Sequence, residues 1–511
     1  MRRAAMVLLA VSVLAGCSAG PSDRPVIAVR GEDNQPLDAT QLAGPQPVPP
    51  LEEFREESIL QWSPCTDATK ERMGPTAPAG DVEYQCSRMS VILDSPGRPG
   101  RGTIGVSLLR VGTGRNPLVV IGDPDGEPGT LKAARLAASL PPEVLSTYTL
   151  IGMDRRGTGR SDGVQCIPAE TRAQIVEYDP AAAEQSDLVV SVGEAAQECV
   201  LDLENRLTAL DSWRAAADLE RLREHLAVKR LNAIGFGDGS KVLTTYANRF
   251  PTKIGRMVLD GAPDPTLDSV GVLESRAASA EQTLDAFARD CTARSCGLAN
   301  PREDVTALIG QLRTTPIRGA TIDLTPGSAL HAILAGLSER SRWPALSDAI
   351  VKARAGDGSG LNALLDPLVS ELDENPPRLD AGMVTGCNDT ATRIPPDRVA
   401  GLSKDWQDKH KMFGALFARM LLRCGPFPVP QLQRQDPLKS APPILVLSTA
   451  DDPVTPAPGT ERAAQRLPGG VLLGWQGSGH GALAQSPCAT NAARDYLIDA
   501  KVPTNGTVCP P

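Results

Sequence analysis

The residues best placed to do chemistry lie at Gly235-Phe236-Gly237-Asp238-Gly239, between an apolar run at 231–234 and a helix-like stretch at 241–249. Small residues at the first and fifth positions let a chain leave a strand, turn sharply and enter a helix without clash. A hydroxyl at the middle of such a turn, served by a histidine base and a carboxylate further along the chain, performs nucleophilic acyl transfer. Further along the chain stand Asp452, in Asp452-Pro453-Val454-Thr455-Pro456, and His480, in Gly477-Ser478-Gly479-His480-Gly481. The middle position itself is Gly237, which has no oxygen to attack with.

Other readings of the same turn fit less well. Ser240, the nearest hydroxyl, stands three residues past the vacancy, most of a helical turn away. Its type and place suit a first-turn residue that satisfies a free backbone N–H. Centring the bend on Asp238, as a carboxylate nucleophile, puts Phe236 where a small residue is needed. As a dinucleotide-binding turn the segment lacks the third glycine, because Ser240 stands there, and the acidic residue near the required distance, Asp260, belongs to the Val258-Leu259-Asp260-Gly261 strand end. No cofactor is expected.

These residues need elements to hold them. Apolar, β-branched runs over 103–111, 117–121, 148–153, 231–234, 254–259, 443–448 and 470–475 read as strands. Helical patterns fall between several of them, notably 213–226 and 241–249. Strand–helix alternation implies a mostly parallel sheet with helices on both faces. From 266 to 440 the strand signals fade. Helical patterns at 275–289, 302–313, 345–355 and 406–422, broken by Pro and Gly, read as a cap inserted into the sheet domain. The expected core is therefore split into 55–265 and 441–511.

The N-terminus reads as an address. Arg2 and Arg3 precede a short apolar stretch that ends in Leu14-Ala15-Gly16-Cys17. That stretch is too short to span a bilayer permanently. Small residues directly before a cysteine resemble the lipobox of bacterial lipoproteins. The resemblance implies cleavage before Cys17, lipid on its sulfur and anchorage at the outer face of a membrane. Residues 18–54 follow as a Pro- and Gly-rich tether. Of the eleven cysteines, ten remain beside Cys17, an even number suited to disulfides in an oxidising compartment. Pairing of neighbours would join Cys65 to Cys86, Cys166 to Cys199, Cys291 to Cys296, Cys387 to Cys424 and Cys488 to Cys509; connectivity stays open in the sequence. With no CxxC pair and four dispersed histidines, zinc is not expected. A net charge of −9 and a 3% aromatic content argue against nucleic acid as a partner.

Further motifs stand in order along the chain. Asp154-Arg155-Arg156-Gly157-Thr158-Gly159-Arg160-Ser161-Asp162 follows one strand, and Tyr246-Ala247-Asn248-Arg249-Phe250-Pro251 precedes another. Together with the turn, Asp452 and His480, they resemble the α/β-hydrolase fold. Within it they resemble the secreted tripeptidyl and prolyl aminopeptidase-like (TAP-like) serine hydrolases of actinobacteria. The resemblance covers about 55–511. It implies an inert nucleophile position at Gly237, with Asp452 as the residual acid and His480 as the residual base. It further implies oxyanion-hole positions at Asp238 and in the loop after the third strand, at Asp123.

That loop departs from the family's glycine-rich pattern, since it reads Gly122-Asp123-Pro124-Asp125-Gly126-Glu127. An oxyanion donor contributes on the order of 3 kcal/mol, and a carboxylate in its place acts in the opposite sense. Asp123, Asp125, Glu127 and Asp238 would converge at the mouth of the site, to hold a hard cation or a peptide's amino group, or else point to solvent. Asp154, Arg156 and Ser161 read as structural. Asn388 and Asp389 fall where the cap returns to the core. Two functions follow: a non-catalytic binder of a peptide or protein, or a hydrolase using a displaced nucleophile or a water activated by His480.

Overall fold

Pro117-Leu118-Val119-Val120-Ile121 is apolar at every position, so neither face of such a strand can meet water. In the computed structural model all five residues are buried in the middle of a ten-stranded sheet. The structure describes residues 46–511 apart from 55–58, 75–76, 78–81, 372–374 and 434–436. The expected signal peptide, Cys17 and residues 18–45 of the tether lie outside the described residues.

The strands are β1 (Ser63–Pro64), β2 (Gln85–Ile92), β3 (Thr103–Val111), β4 (Asn116–Ile121), β5 (Tyr148–Met153), β6 (Leu231–Phe236), β7 (Ile254–Asp260), β8 (Ile444–Asp451), β9 (Gly470–Ser478) and β10 (Thr507–Cys509). They lie side by side as β1-β2-β3-β5-β4-β6-β7-β8-β9-β10. From β5 to β10 all neighbours run parallel, whereas β1, β2 and β3 join antiparallel at one edge. Parallel strands end at the same edge of a sheet. The loops after β4, β6, β8 and β9 carry Asp123, Gly237, Asp452 and His480, so the topology gathers these four at one rim.

The strand β2 was not expected. Its sequence, Gln85-Cys86-Ser87-Arg88-Met89-Ser90-Val91-Ile92, buries only Met89 and Val91 and leaves Arg88, Ser90 and Ile92 exposed. A half-wet strand near an edge lacks the apolar run that marks the central ones.

Between β7 and β8 the chain is helical, from Ser269–Arg294 through Gly414–Met420. The stretch 406–422, expected as one helix, is broken. The helix Pro396–Lys409 ends at His410 and a second begins at Gly414. A Cβ on Gly414 would come within 2.1 Å of the Trp406 carbonyl oxygen, so only glycine permits the two helices to close so tightly.

The tether expectation also needs correction at its end. Arg256 Nε donates to the Pro49 carbonyl at 3.0 Å, and Phe54 N to the Arg115 carbonyl at 2.8 Å. Residues 46–54 are thus strapped to the core, with Val48 and Leu51 packed on its apolar cluster. Disulfides join Cys65 to Cys86, Cys166 to Cys199, Cys291 to Cys296, Cys387 to Cys424 and Cys488 to Cys509, each cysteine bridged to its neighbour in sequence. Among the described residues no helix is long and apolar enough to cross a membrane.

Candidate active site

The strand β6 ends at Phe236, and the helix Asp238–Arg249 begins two residues later. Gly237 makes the bend with φ 52° and ψ −121°, a conformation L side chains rarely adopt. Its neighbours are small for a reason. A Cβ on Gly239 would lie 2.3 Å from the Ile121 carbonyl oxygen, and one on Gly235 2.8 Å from the Gly239 backbone. The bend is therefore the tight strand-to-helix elbow that its spacing indicates.

A Cβ on Gly237 would meet something the sequence did not announce. It would fall 2.0 Å from Asp123 Oδ1 and 2.6 Å from Asp123 Cγ. The Asp123 carboxylate occupies the volume a nucleophile's side chain would need. Its Oδ1 accepts from the backbone N–H of Asp238 at 2.7 Å, the donor an oxyanion would use. Its Oδ2 lies 3.1 Å from His480 Nε2, the nitrogen that would take a nucleophile's proton. One side chain thus covers the vacant elbow, the anion-binding N–H and the base.

On its other side, His480 Nδ1 lies 3.0 and 3.1 Å from the two oxygens of Asp452. Asp452 is fully buried and held by the N–H groups of Val454 and Thr455 and by the Thr455 hydroxyl. The imidazole is clamped between two carboxylates. Burial favours its neutral form, but the charge of Asp452 and the bonds to Asp123 and Asp452 outweigh burial and lift its pKa well above the ordinary value. Burial raises the Asp123 carboxyl, yet its bond to His480, the His480 charge and the Asp238 N–H win and hold it below the usual range. A carboxylate at each ring nitrogen favours the imidazolium. In that form Nε2 carries a proton bonded to Asp123 and is not free to take one from a water or a hydroxyl. Among the described residues Nε2 has Asp123 as its hydrogen-bond partner and neither a hydroxyl nor a thiol.

The other acids do not join Asp123. Asp125 is exposed at the cavity mouth, and Glu127 pairs with Arg135. Asp238 lies close enough to feel the Asp123 charge: burial pushes its carboxyl upward, Lys241 opposes this, and Asp123 adds to it. Among the described residues no set of three or more metal-ligating side chains converges. Ser240 is fully buried, and its hydroxyl donates to the Gly235 carbonyl at 2.9 Å. It therefore satisfies a carbonyl, not the backbone N–H that its position suggested.

The remaining candidates are braces. Asp154 accepts from the N–H groups of Thr130 and Arg160, and Ser161 donates to the Asp154 carbonyl. Arg156 forms a two-pronged pair with Asp218 at 2.7 and 2.6 Å. Asn388 Nδ2 donates to the carbonyls of Leu207 and Leu210. Asp389 joins the cap to the elbow helix through Lys241 at 3.1 Å and to the N–H of Ser212.

A cavity of about 1400 Å³ opens over His480, roofed by the cap. Leu131, Phe236, Leu364 and Trp475 give it apolar walls, and Arg72, Lys132, Arg340 and Arg378 line it with positive charge. Sequence reasoning missed these basic residues. They come from four separate segments, and no spacing pattern links them.

The chain resembles known proteins over most of its length. Residues 126–299 match a family described as alpha/beta hydrolase fold, and residues 410–509 match one described as TAP-like protein. Serine protease Hip1 of Mycobacterium tuberculosis is 24% identical over 88% of this chain and 91% of that protein. Carboxylesterase B of the same organism is 26% identical over 93% of this chain and 95% of its own. Tripeptidyl aminopeptidase of Streptomyces lividans is 24% identical over 71% of each chain. Its strand order and the first of these matches make the chain an α/β-hydrolase-fold protein, and residues 410–509 resemble TAP-like proteins.

Proposed function

We propose that this chain is a non-catalytic relative of those hydrolases, which binds a peptide or protein in the cavity beneath its cap. A single observation carries the reading. The Asp123 carboxylate lies where an attacking side chain would have to stand, and it holds both the Asp238 N–H and His480 Nε2. Acyl transfer needs an oxygen at the elbow, a free donor for the oxyanion and a base able to take a proton. A peptide is the favoured ligand because two relatives are named as a protease and an aminopeptidase. The five disulfides suit an extracytoplasmic site. Lipid on Cys17 would hold the chain to the membrane there, and a Cys17→Ser chain that still sediments with membranes would refute the anchor.

The direct test is a fluorophosphonate probe on the purified protein, with tripeptide and ester substrates alongside. No adduct and no turnover are expected. Probe attachment mapped to any serine would instead favour a hydrolase working through a displaced nucleophile, and steady ester turnover without an adduct would favour water activated at His480.

A further inference from the structure

We infer that the cavity selects acidic peptides, its cap and core arginines and lysine meeting the peptide's carboxylates while its apolar walls take the intervening side chains. This inference rests on the peptide-binding reading above. Six basic side chains border the cavity (Arg72, Lys132, Arg135, Arg340, Arg342 and Arg378) against three acidic ones, Asp125, Glu127 and Glu339. The acids are partly used up. Glu127 pairs with Arg135, and Glu339 with Arg342 at 2.6 Å.

The rest of the positive charge makes no direct ion pair among the described residues, and the carboxylates that act on it, Asp154 on Arg72 and Asp123 and Asp260 on Lys132, do so without contact. Arg72 donates to a neutral acceptor, Asn375 Oδ1, at 2.7 and 3.1 Å. The Lys132 ammonium lies 4.3 Å from the Phe236 ring centre, and the Arg340 guanidinium 5.9 Å from that of Trp343. Arg378 makes no hydrogen bond or ion pair among the described residues. Burial disfavours its charge, the carboxylates of Glu127 and Asp125 favour it, and Arg135 and Arg342 oppose it, so that its pKa stays below the ordinary value. A protein keeps charges of one sign crowded in a recess at a cost in stability. An incoming anion removes that cost, which gives it differential affinity for the site.

The geometry places these groups around the old active site. The short helix Arg340–Arg342 lies over the His480 loop, where His480 N donates to the Ser338 carbonyl at 2.7 Å. The helix Arg378–Asn388 meets the Asp123 loop so closely that a Cβ on Gly382 would stand 2.7 Å from the Asp125 Cβ. Lys132 and Arg72 enter from the core side. Cations thus face the cavity from cap and core alike, and an extended chain passing between them would be read on both sides. Alternation of acidic and apolar residues matches the mixture of cations with leucines and aromatics in the walls.

The test uses three octapeptides acetylated and amidated at their ends, in which leucine alternates with glutamate, with glutamine or with lysine. Binding to the purified full chain is read by calorimetry. The glutamate peptide should bind about tenfold or more tighter than the glutamine peptide, the ratio that one charge-assisted hydrogen bond supplies. Its affinity should fall as salt is raised. Arg340→Glu, on the partly exposed cap helix, should weaken it by a similar factor with an unchanged melting temperature. Arg378→Gln gives a second reading without charge reversal. Equal binding of the glutamate and glutamine peptides would overturn the acidic preference and leave peptide binding standing. Binding of none would overturn both. Binding to phosphatidylglycerol vesicles with none to the glutamate peptide would make the anion a lipid headgroup and overturn the peptide assignment.

Discussion

Restoring the missing serine by Gly237→Ser should not restore an enzyme, and the size of the obstacle can be worked from the geometry. The new Cβ would stand 2.0 Å from Asp123 Oδ1, far inside contact distance. The carboxylate would have to leave, and with it go its bonds to the Asp238 N–H at 2.7 Å and to His480 Nε2 at 3.1 Å. Hydrogen bonds to charged groups contribute about 1.5–3 kcal/mol each, so their loss costs roughly 3–6 kcal/mol. A side chain at φ 52° adds about 1–3 kcal/mol of backbone strain. Domains are stable by only about 5–15 kcal/mol in total, so the single variant should melt well below the natural protein. Asp123→Gly opens the space. The double variant should therefore be less destabilised than the sum of the two single changes, because one introduced group replaces the other. Thermal unfolding of the four proteins gives this coupling, and a fluorophosphonate probe with intact-mass detection gives the chemistry. The single Gly237→Ser protein should stay unlabelled, and the double variant should form an adduct at the introduced serine. A Gly237→Ser protein as stable as the natural one, and labelled as fast as the double variant, would refute the reasoning.

Three further outcomes follow from the buried charges. The His480 imidazolium should persist well above the ordinary histidine value of 6.5, and Asp123→Asn should bring its titration down; nitrogen NMR on the four histidines resolves this, and ordinary titration in the natural protein would count against the clamp. The sign of the linkage is set by these shifts: stability from the raised His480 is fully present below pH 6.5 and is lost as pH rises through the folded value, while that from the lowered Asp123 is present above 3.8 and is lost as pH falls through its folded value. Asp218→Ala would leave Arg156, whose side chain is 2% exposed, without its carboxylate and should cost about 3–5 kcal/mol by denaturant titration; a loss under about 1 kcal/mol would show that the carbonyls of Ile92, Leu93 and Ala209 suffice for the guanidinium.

Much of this protein was legible in local patterns. Apolar runs at 117–121 and 148–153 announce buried strands because burial on both faces disfavours polar groups without partners, and the hydroxyls of Tyr148 and Thr149 are bonded to the carbonyls of Leu497 and Gly114. The Gly235–Gly237–Gly239 spacing announces the elbow because a backbone that bends this sharply excludes Cβ atoms at defined places. The strand Gln85–Ile92, next to the edge, stayed hidden because its wet face dilutes the signal. Ser240 was misjudged in its partner because a first-turn hydroxyl can reach a carbonyl as readily as an N–H.

The sequence by itself determined that position 237 carries no side-chain oxygen and that Asp452 and His480 follow it in order, since these are matters of residue identity. Only the tertiary structure decided what fills the gap. Asp123 lies 115 residues from Asp238 in the chain, yet its carboxylate bonds to that backbone N–H. The same holds for Arg72, Lys132, Arg340 and Arg378, which share one cavity without sharing a segment. Local spacing encodes how a backbone turns, but which side chain enters a vacant space is settled by packing between distant elements, and one sequence carries no record of those meetings.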